Sequence, residues 1–111
     1  MKEKPIAYGY MRVRKEASDQ ELKLIDDRMH ACADAHGLWL TYTHYEWGSG
    51  IEPHRLIRRL IKDDVRHVIV PSLVQITEHP LMQFIVSESI TLDAGALLYE
   101  ASGLYGRASV S

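Results

Sequence analysis

Two arginines, Arg12 and Arg14, stand at and just beyond the end of the first apolar segment of the chain, Ile6–Val13. This segment shows little alternation, which is typical of a parallel strand buried on both faces. In an open α/β sheet, ligands and catalytic groups gather at the carboxyl ends of the strands. Guanidinium groups bind phosphate oxygens through paired hydrogen bonds. The end of the first strand is therefore the candidate site for phosphate chemistry.

Such chemistry also needs a nucleophile, and the hydroxyls predicted near this edge are Ser18, Ser49, Ser72 and Thr77. Three of them have a structural interpretation. Ser18 and Glu21 have the spacing of a helix capping box, Ser49 lies in a glycine-rich turn, and Thr77 stands where a third helix begins. A nucleophile also needs an activating partner, and the sequence assigns none of these residues that role.

The six histidines and the single cysteine do not have the spacing of a metal site. No two histidines are four residues apart, and Cys32 has no second cysteine to join it. Cys32 falls in an apolar helical pattern, which favours a packed core thiol over a nucleophile. The segment Gly48-Ser49-Gly50 lacks the lysine that ends a Walker loop. We therefore predict neither a metal nor a cofactor.

The chain has 111 residues, 46% of them hydrophobic, which predicts one folded domain with a real core. Its net charge of −2 gives no general attraction to nucleic acid, so DNA binding is possible but is not supported by charge. One basic cluster lies in and just after the second predicted helix. Its members are Arg55, Arg58, Arg59, Lys62 and Arg66. We interpret it as a solvated helix face, with nucleic-acid binding as the alternative.

No apolar segment is long enough to cross a bilayer, and the first residues lack the apolar core of a signal peptide. We therefore predict no membrane contact and a location in the reducing cytoplasm. Trp47 follows the second strand, where it would either pack on a helix or anchor a partner. Trp39 and Tyr45, within that strand, are predicted to pack inside the fold.

Strands and helices alternate along the chain. Apolar strands are predicted at residues 6–13, 38–45, 67–70 and 96–100, with helices at residues 18–36 and 53–62. A third helix is predicted to begin between Thr77 and Pro80 and to end near Asp93. The order predicts an α/β fold of three layers, with a mostly parallel four-stranded sheet and helices on both faces. Residues 1–101 would form the domain, and residues 102–111 a flexible C-terminal tail.

The segment Tyr10-Met11-Arg12-Val13 resembles the first-strand motif of serine recombinases (the resolvase/invertase family), which reads Tyr-x-Arg-Val-Ser. Three weaker matches follow in the right order: Ala35-His36-Gly37, Glu46-Trp47-Gly48-Ser49-Gly50 and Val68-Ile69-Val70-Pro71-Ser72-Leu73. The resemblance covers residues 5–101 and implies the resolvase-like fold. It also implies an active site that cuts and rejoins DNA through a serine.

The departures from the family pattern fall on the catalytic positions. Arg14 stands where the resemblance predicts the serine nucleophile, and Val74-Gln75 where it predicts an Asp-Arg pair. Glu78 replaces a further arginine. Arg12 is retained. Pro53 stands at the position before the second helix where the resemblance predicts another arginine, and Arg55 is close by. The resemblance thus implies five degenerate active-site positions: Arg12, Arg14, Val74, Gln75 and Glu78.

An arginine has no hydroxyl and cannot form a covalent phosphate intermediate. We expect Arg14 and Glu78 to form an ion pair where the family binds phosphate, and Glu46 to face the same edge. The sequence therefore predicts a catalytically inactive recombinase-like domain that acts as a binding or regulatory module through a protein partner or self-association. The residues that could bind are Arg12, Arg14, Trp47, Ser49 and Arg55. The alternatives are an active recombinase, another phosphoryl-transfer domain on the same fold, or a DNA-binding accessory module.

Overall fold

The computed structural model describes residues 4–48 and 51–102 and the backbone of residues 107–109. A five-stranded sheet in the order β2-β1-β3-β4-β5 forms the middle layer. Its strands are β1 (Ile6–Val13), β2 (Trp39–Trp47), β3 (His67–Val70), β4 (Leu97–Glu100) and β5 (Arg107–Ser109). The first four are parallel, as predicted, and β5 runs antiparallel to β4.

Three residues of the segment predicted to be a flexible tail therefore form a strand. The rest of that tail beyond Ser102, residues 103–106 and 110–111, lies outside the described residues.

Helices cover both faces of the sheet, which confirms the predicted layers. On one face, α1 (Asp19–Ala35) packs Met29, Cys32 and Ala33 against β1 and β3. It begins as predicted, because the Ser18 hydroxyl accepts a hydrogen bond from the Glu21 backbone N–H at 3.1 Å. On the other face lies α2 (Pro53–Asp63), with Pro53 in its first turn, where the missing N–H costs nothing.

A short helix that was not predicted, α3 (Leu73–Ile76), follows β3. The third predicted helix is α4 (Pro80–Glu88), which a π-helical turn, Ser89–Asp93, continues. Thr77 and His79 both have extended backbone, and His79 precedes Pro80, a position at which helical geometry is sterically disfavoured. The helix therefore begins at Pro80, the last residue of the predicted range Thr77–Pro80, and not at Thr77. Val86 and Ile90 of this region pack with α2 on the same face of the sheet.

The edge position of β2 overturns one packing prediction. Trp39 is 61% exposed and Tyr45 is 43% exposed, so neither packs inside the fold. Among the described strands β2 pairs with β1 alone. Side chains on the outer part of such a strand extend beyond the helices that cover the centre of the sheet, so they stay in contact with solvent.

Candidate functional site

Arg12 lies near the carboxyl end of β1, between the segment after β2 and the end of α3. Its Nε donates to the Ile76 carbonyl at 2.8 Å, and its Nη1 donates to the Gly48 carbonyl at 3.0 Å. Both acceptors are backbone groups of this chain. The guanidinium therefore joins three segments of the fold in the place where the resemblance predicts a phosphate contact.

Gln75 holds the backbone of β1 at the same residue. Its Oε1 accepts from the Arg12 N–H at 3.1 Å, and its Nε2 donates to the Arg12 carbonyl at 2.5 Å. The Ser72 hydroxyl in turn accepts from the Gln75 N–H at 3.0 Å and caps α3. A residue predicted to be a degenerate catalytic position thus fastens α3 to the end of β1.

Arg14 and Glu78 form the ion pair expected from the sequence. The Arg14 Nη1 and the Glu78 Oε1 are 3.8 Å apart, and both side chains are largely exposed, at 47% and 74%. They line a cavity of about 230 Å³ together with Arg12, Thr77 and His79. The cavity therefore carries two guanidinium groups and a carboxylate that opposes one of them. Val74, by contrast, is 58% exposed and does not line this cavity.

Glu46 was expected to face this edge, but it does not line the cavity. Its buried carboxylate accepts from the Tyr10 hydroxyl at 2.9 Å and from the Glu52 backbone N–H, and it lies 3.3 Å from His44 Nε2. Burial raises the pKa of the Tyr10 hydroxyl, and the neighbouring Glu46 carboxylate raises it further. Glu46 therefore ties β1, β2 and the start of α2 together beneath the site.

The hydroxyls considered as replacement nucleophiles already serve the backbone. Ser18 and Ser72 accept helix-capping N–H groups, and the Thr77 hydroxyl accepts from the His79 N–H at 3.3 Å. Within the described residues, none of these three hydroxyls bonds to a histidine or carboxylate side chain that would remove its proton. Ser49, the remaining candidate and a predicted binding residue, lies outside the described residues.

The other predicted binding residues lie apart from the cavity. Trp47 is 72% exposed, so it does not pack on a helix; its ring makes a tilted contact with Tyr45, at 6.2 Å between centroids. Arg55 pairs with Glu52 at 2.9 Å. The structure therefore brings together Arg12, Arg14, Gln75 and Glu78, while Trp47 and Arg55 belong to other surfaces.

The basic cluster of α2 and the residue after it is partly neutralised by the chain itself. Arg59 lies 3.6 Å from Asp63 and stacks over the Tyr42 ring at 4.2 Å, and Arg66 lies 3.2 Å from Asp64. The Asp63 carboxylate also accepts from the Tyr8 hydroxyl at 2.5 Å. This hydrogen bond is the main cause of the raised pKa of Tyr8.

Within residues 4–48 and 51–102, no three histidine, cysteine, aspartate or glutamate side chains come close enough to hold a metal ion. Cys32 is buried as predicted, and this burial raises the pKa of its thiol. Over the same part of the chain, no helix has the length and apolar character needed to span a bilayer.

Sequence reasoning missed the Tyr10–Glu46 hydrogen bond, which joins residues 36 positions apart. The only signal was a tyrosine within an apolar strand and a lone carboxylate near the end of the next strand. That signal becomes specific only once the parallel register sets His44 beside Tyr10 and Glu46 beside Arg12.

Comparison with known proteins places the fold. No protein-family model matches the chain, and no curated protein matches it. Among solved structures it is similar to a resolvase family site-specific recombinase from Streptococcus pneumoniae, with a TM-score of 0.72 and 20% identity over 96% of this chain and 76% of that one. It is also similar to the N-terminal catalytic domain of TP901-1 integrase, with a TM-score of 0.65 and 20% identity over 86% of this chain and 76% of that one. The chain therefore has the fold of a serine-recombinase catalytic domain, as its first-strand motif predicts.

Proposed function

We propose that this domain does not cut or exchange DNA strands and that it acts as a binding or regulatory module through protein contacts. The observation that carries the proposal is how the two arginines at the carboxyl edge of the sheet are paired. Arg14, paired with Glu78, stands where the resemblance predicts the serine, and Arg12 donates to the backbone carbonyls of Ile76 and Gly48.

The chemistry of strand cleavage explains why this arrangement supports the proposal. Attack on a phosphodiester needs a nucleophile, together with positive groups that stabilise the charge that builds on the phosphoryl oxygens. Arg14 cannot supply the nucleophile, and Glu78 places negative charge beside it. Gln75, where the resemblance predicts a catalytic arginine, is engaged with the backbone of β1.

Exposed apolar side chains support protein contacts as the mode of action. On α4 and the turn after it, Leu81, Phe84 and Leu92 are 69%, 60% and 70% exposed. Their spacing of three and eight residues puts them on one side of the helix. Large apolar side chains grouped on a surface are typical of sites that bind other proteins.

A cytoplasmic location stays a prediction from the sequence.

Covalent capture tests the absence of catalysis. The protein is incubated with a pool of random-sequence duplexes labelled on both strands, and adducts are separated on a denaturing gel beside an active serine recombinase on its own site. We expect no adduct from the wild type. We also expect none from Arg14→Ser, because a serine alone does not restore the missing Asp-Arg pair.

An adduct with the wild type would contradict the proposal and favour an active recombinase or another phosphoryl-transfer domain. Ser49→Ala, Ser72→Ala and Thr77→Val would then show which hydroxyl attacks, because only the variant that lacks the nucleophile would lose the adduct. Binding to the same duplexes that weakens steeply with salt, without an adduct, would instead favour the DNA-binding alternative.

A further inference from the structure

Within the part of the chain that the structure describes, the outer edge of β2 is an open sheet edge. At nine residues β2 is the longest strand, and among the described strands its only neighbour is β1. An edge strand presents a row of backbone N–H and C=O groups to solvent, which makes it a template for another strand. Proteins usually protect such an edge with lysine, proline, bulges or inward-pointing charges.

Two of these protections, lysine and proline, are missing from β2. Trp39–Trp47 contains no lysine, arginine or proline, and its one carboxylate, Glu46, is buried against Tyr10. One irregularity is present, because the register with β1 shifts at Thr41. Beyond it, residues 42–47 pair regularly with β1, so the regular part of the open edge is the second half of the strand.

That half of the strand also carries exposed aromatic surface. Thr43, Tyr45 and Trp47 share one face of the sheet, in register with Gly9, Met11 and Val13 of β1. Tyr45 and Trp47 are 43% and 72% exposed. Neighbouring tyrosine and tryptophan side chains at the surface are typical anchors of protein interfaces.

We propose that residues 43–47 pair antiparallel with the same segment of a second copy of this chain, about a two-fold axis at Tyr45. This register sets Tyr45 opposite Tyr45 and Thr43 opposite Trp47 on one face. On the other face it sets His44 opposite Glu46, whose buried carboxylate stays bonded to Tyr10 of its own chain. Aromatic pairs and aromatic–β-branched pairs stabilise antiparallel strands when they are directly opposite.

The self-complementary pattern favours a second copy over a foreign strand. A two-fold interface uses one patch twice, so each residue must tolerate its partner and be tolerated in return. Thr43, Tyr45 and Trp47 meet that condition on the face that carries the exposed aromatic rings. The inference rests on the proposed function only in taking protein contacts as the mode of action, and it names the partner.

Sedimentation velocity over a range of protein concentrations tests the dimer. We expect the wild type to dimerise reversibly. We expect Tyr45→Lys to raise the dissociation constant by roughly tenfold or more, because two ammonium groups would face each other across the axis. Leu24→Lys is the matched control: it puts the same charge on an exposed apolar position of α1 and should leave the dimer unchanged. Circular dichroism would show that both variants fold.

A crosslink tests the register. Directly opposite residues of an antiparallel pair have Cα atoms about 4.5–5.5 Å apart, within reach of a disulfide. Tyr45→Cys should therefore form an intermolecular disulfide under mild oxidation, whereas Leu24→Cys, at an exposed position of α1, should not. The buried Cys32 gives little background.

A monomeric wild type would overturn the proposal. A dimer that Phe84→Lys breaks and Tyr45→Lys does not would also overturn it, because the interface would then lie on α4. Neither result bears on covalent capture of DNA, so failure of the β2 interface and failure of the proposed function are separate outcomes.

Discussion

The carboxyl edge of the sheet and the outer edge of β2 lie close together but differ in how far the chain satisfies its own groups. At the carboxyl edge, Arg12 and Gln75 form hydrogen bonds to backbone groups of this chain, and Arg14 pairs with Glu78. At the outer edge, Tyr45 and Trp47 are exposed. The first region has replaced the contacts that a ligand would make, while the second still presents surface that a partner could cover.

Partly buried polar groups and exposed apolar groups explain the difference. A hydrogen-bonding group withdrawn from water without a partner costs about 1–3 kcal/mol, so the partly buried Arg12 and Gln75 are fixed by their bonds within the fold. An exposed aromatic ring costs the monomer little, and it gains free energy only when a partner removes it from water. Substitutions at the two edges should therefore affect different properties, namely folding stability at the first and association at the second.

Glu46→Ala should have the largest effect on stability. It removes the acceptor of the Tyr10 hydroxyl and of the Glu52 N–H, both beneath the carboxyl edge. Loss of two hydrogen bonds to a buried carboxylate should lower the free energy of unfolding by about 2–4 kcal/mol, measured by urea denaturation. Tyr10→Phe is the milder control, because Glu46 keeps its contacts with the Glu52 N–H and with His44. A loss below about 1 kcal/mol for Glu46→Ala would contradict the role of this residue as a tie.

Gly9→Ala tests the packing between β1 and β2, which is close, in contrast to the open outer edge of β2. An alanine Cβ at this position would lie 2.6 Å from the Thr43 Oγ1 and 2.7 Å from the Met29 Cε. We expect a loss of about 1–3 kcal/mol of unfolding free energy from overpacking. Adding Thr43→Ala should recover part of it, because the nearest contact is removed. If Gly9→Ala were as stable as the wild type, α1 and β2 would not approach β1 this closely.

Local sequence patterns predicted the strands and the start of α1 because these features depend on near neighbours. The Ser18–Glu21 spacing is enough to place a cap, and the apolar run Ile6–Val13 is enough to place β1. The start of α4 was also encoded locally, because His79 precedes Pro80, and this favours a start at Pro80 over a start at Thr77. A pre-proline position should therefore outweigh apolar periodicity in such a segment.

Contacts between distant segments could not be predicted in this way. An aromatic strand in the interior and one at an edge have the same composition, so the exposure of Trp39 and Tyr45 follows only from the strand order. The turn of Glu46 toward Tyr10 likewise depends on the register of β1 with β2. The Arg14–Glu78 pair was predicted only because the resemblance placed both residues at one edge.

Gln75→Ala should have an intermediate effect at the carboxyl edge. The variant loses both hydrogen bonds to the backbone of Arg12, which should lower the free energy of unfolding by about 1–2 kcal/mol. Val74→Ala, next along α3 and 58% exposed, is the matched control and should change it by less than about 0.5 kcal/mol. Equal effects of the two variants would show that α3 is not fastened to β1 through Gln75.

The Arg14–Glu78 pair should contribute least to stability, because both partners are largely in water. Exposed ion pairs lose in side-chain entropy and screening most of what they gain in Coulomb energy, so a double-mutant cycle with Arg14→Ala and Glu78→Ala should give a coupling below about 0.5 kcal/mol. The coupling should fall further in 1 M salt, where charges are screened within about 3 Å. A coupling above about 1.5 kcal/mol that persisted in salt would mean that the pair is shielded from solvent. The carboxyl edge would then be closed more tightly than its exposure indicates.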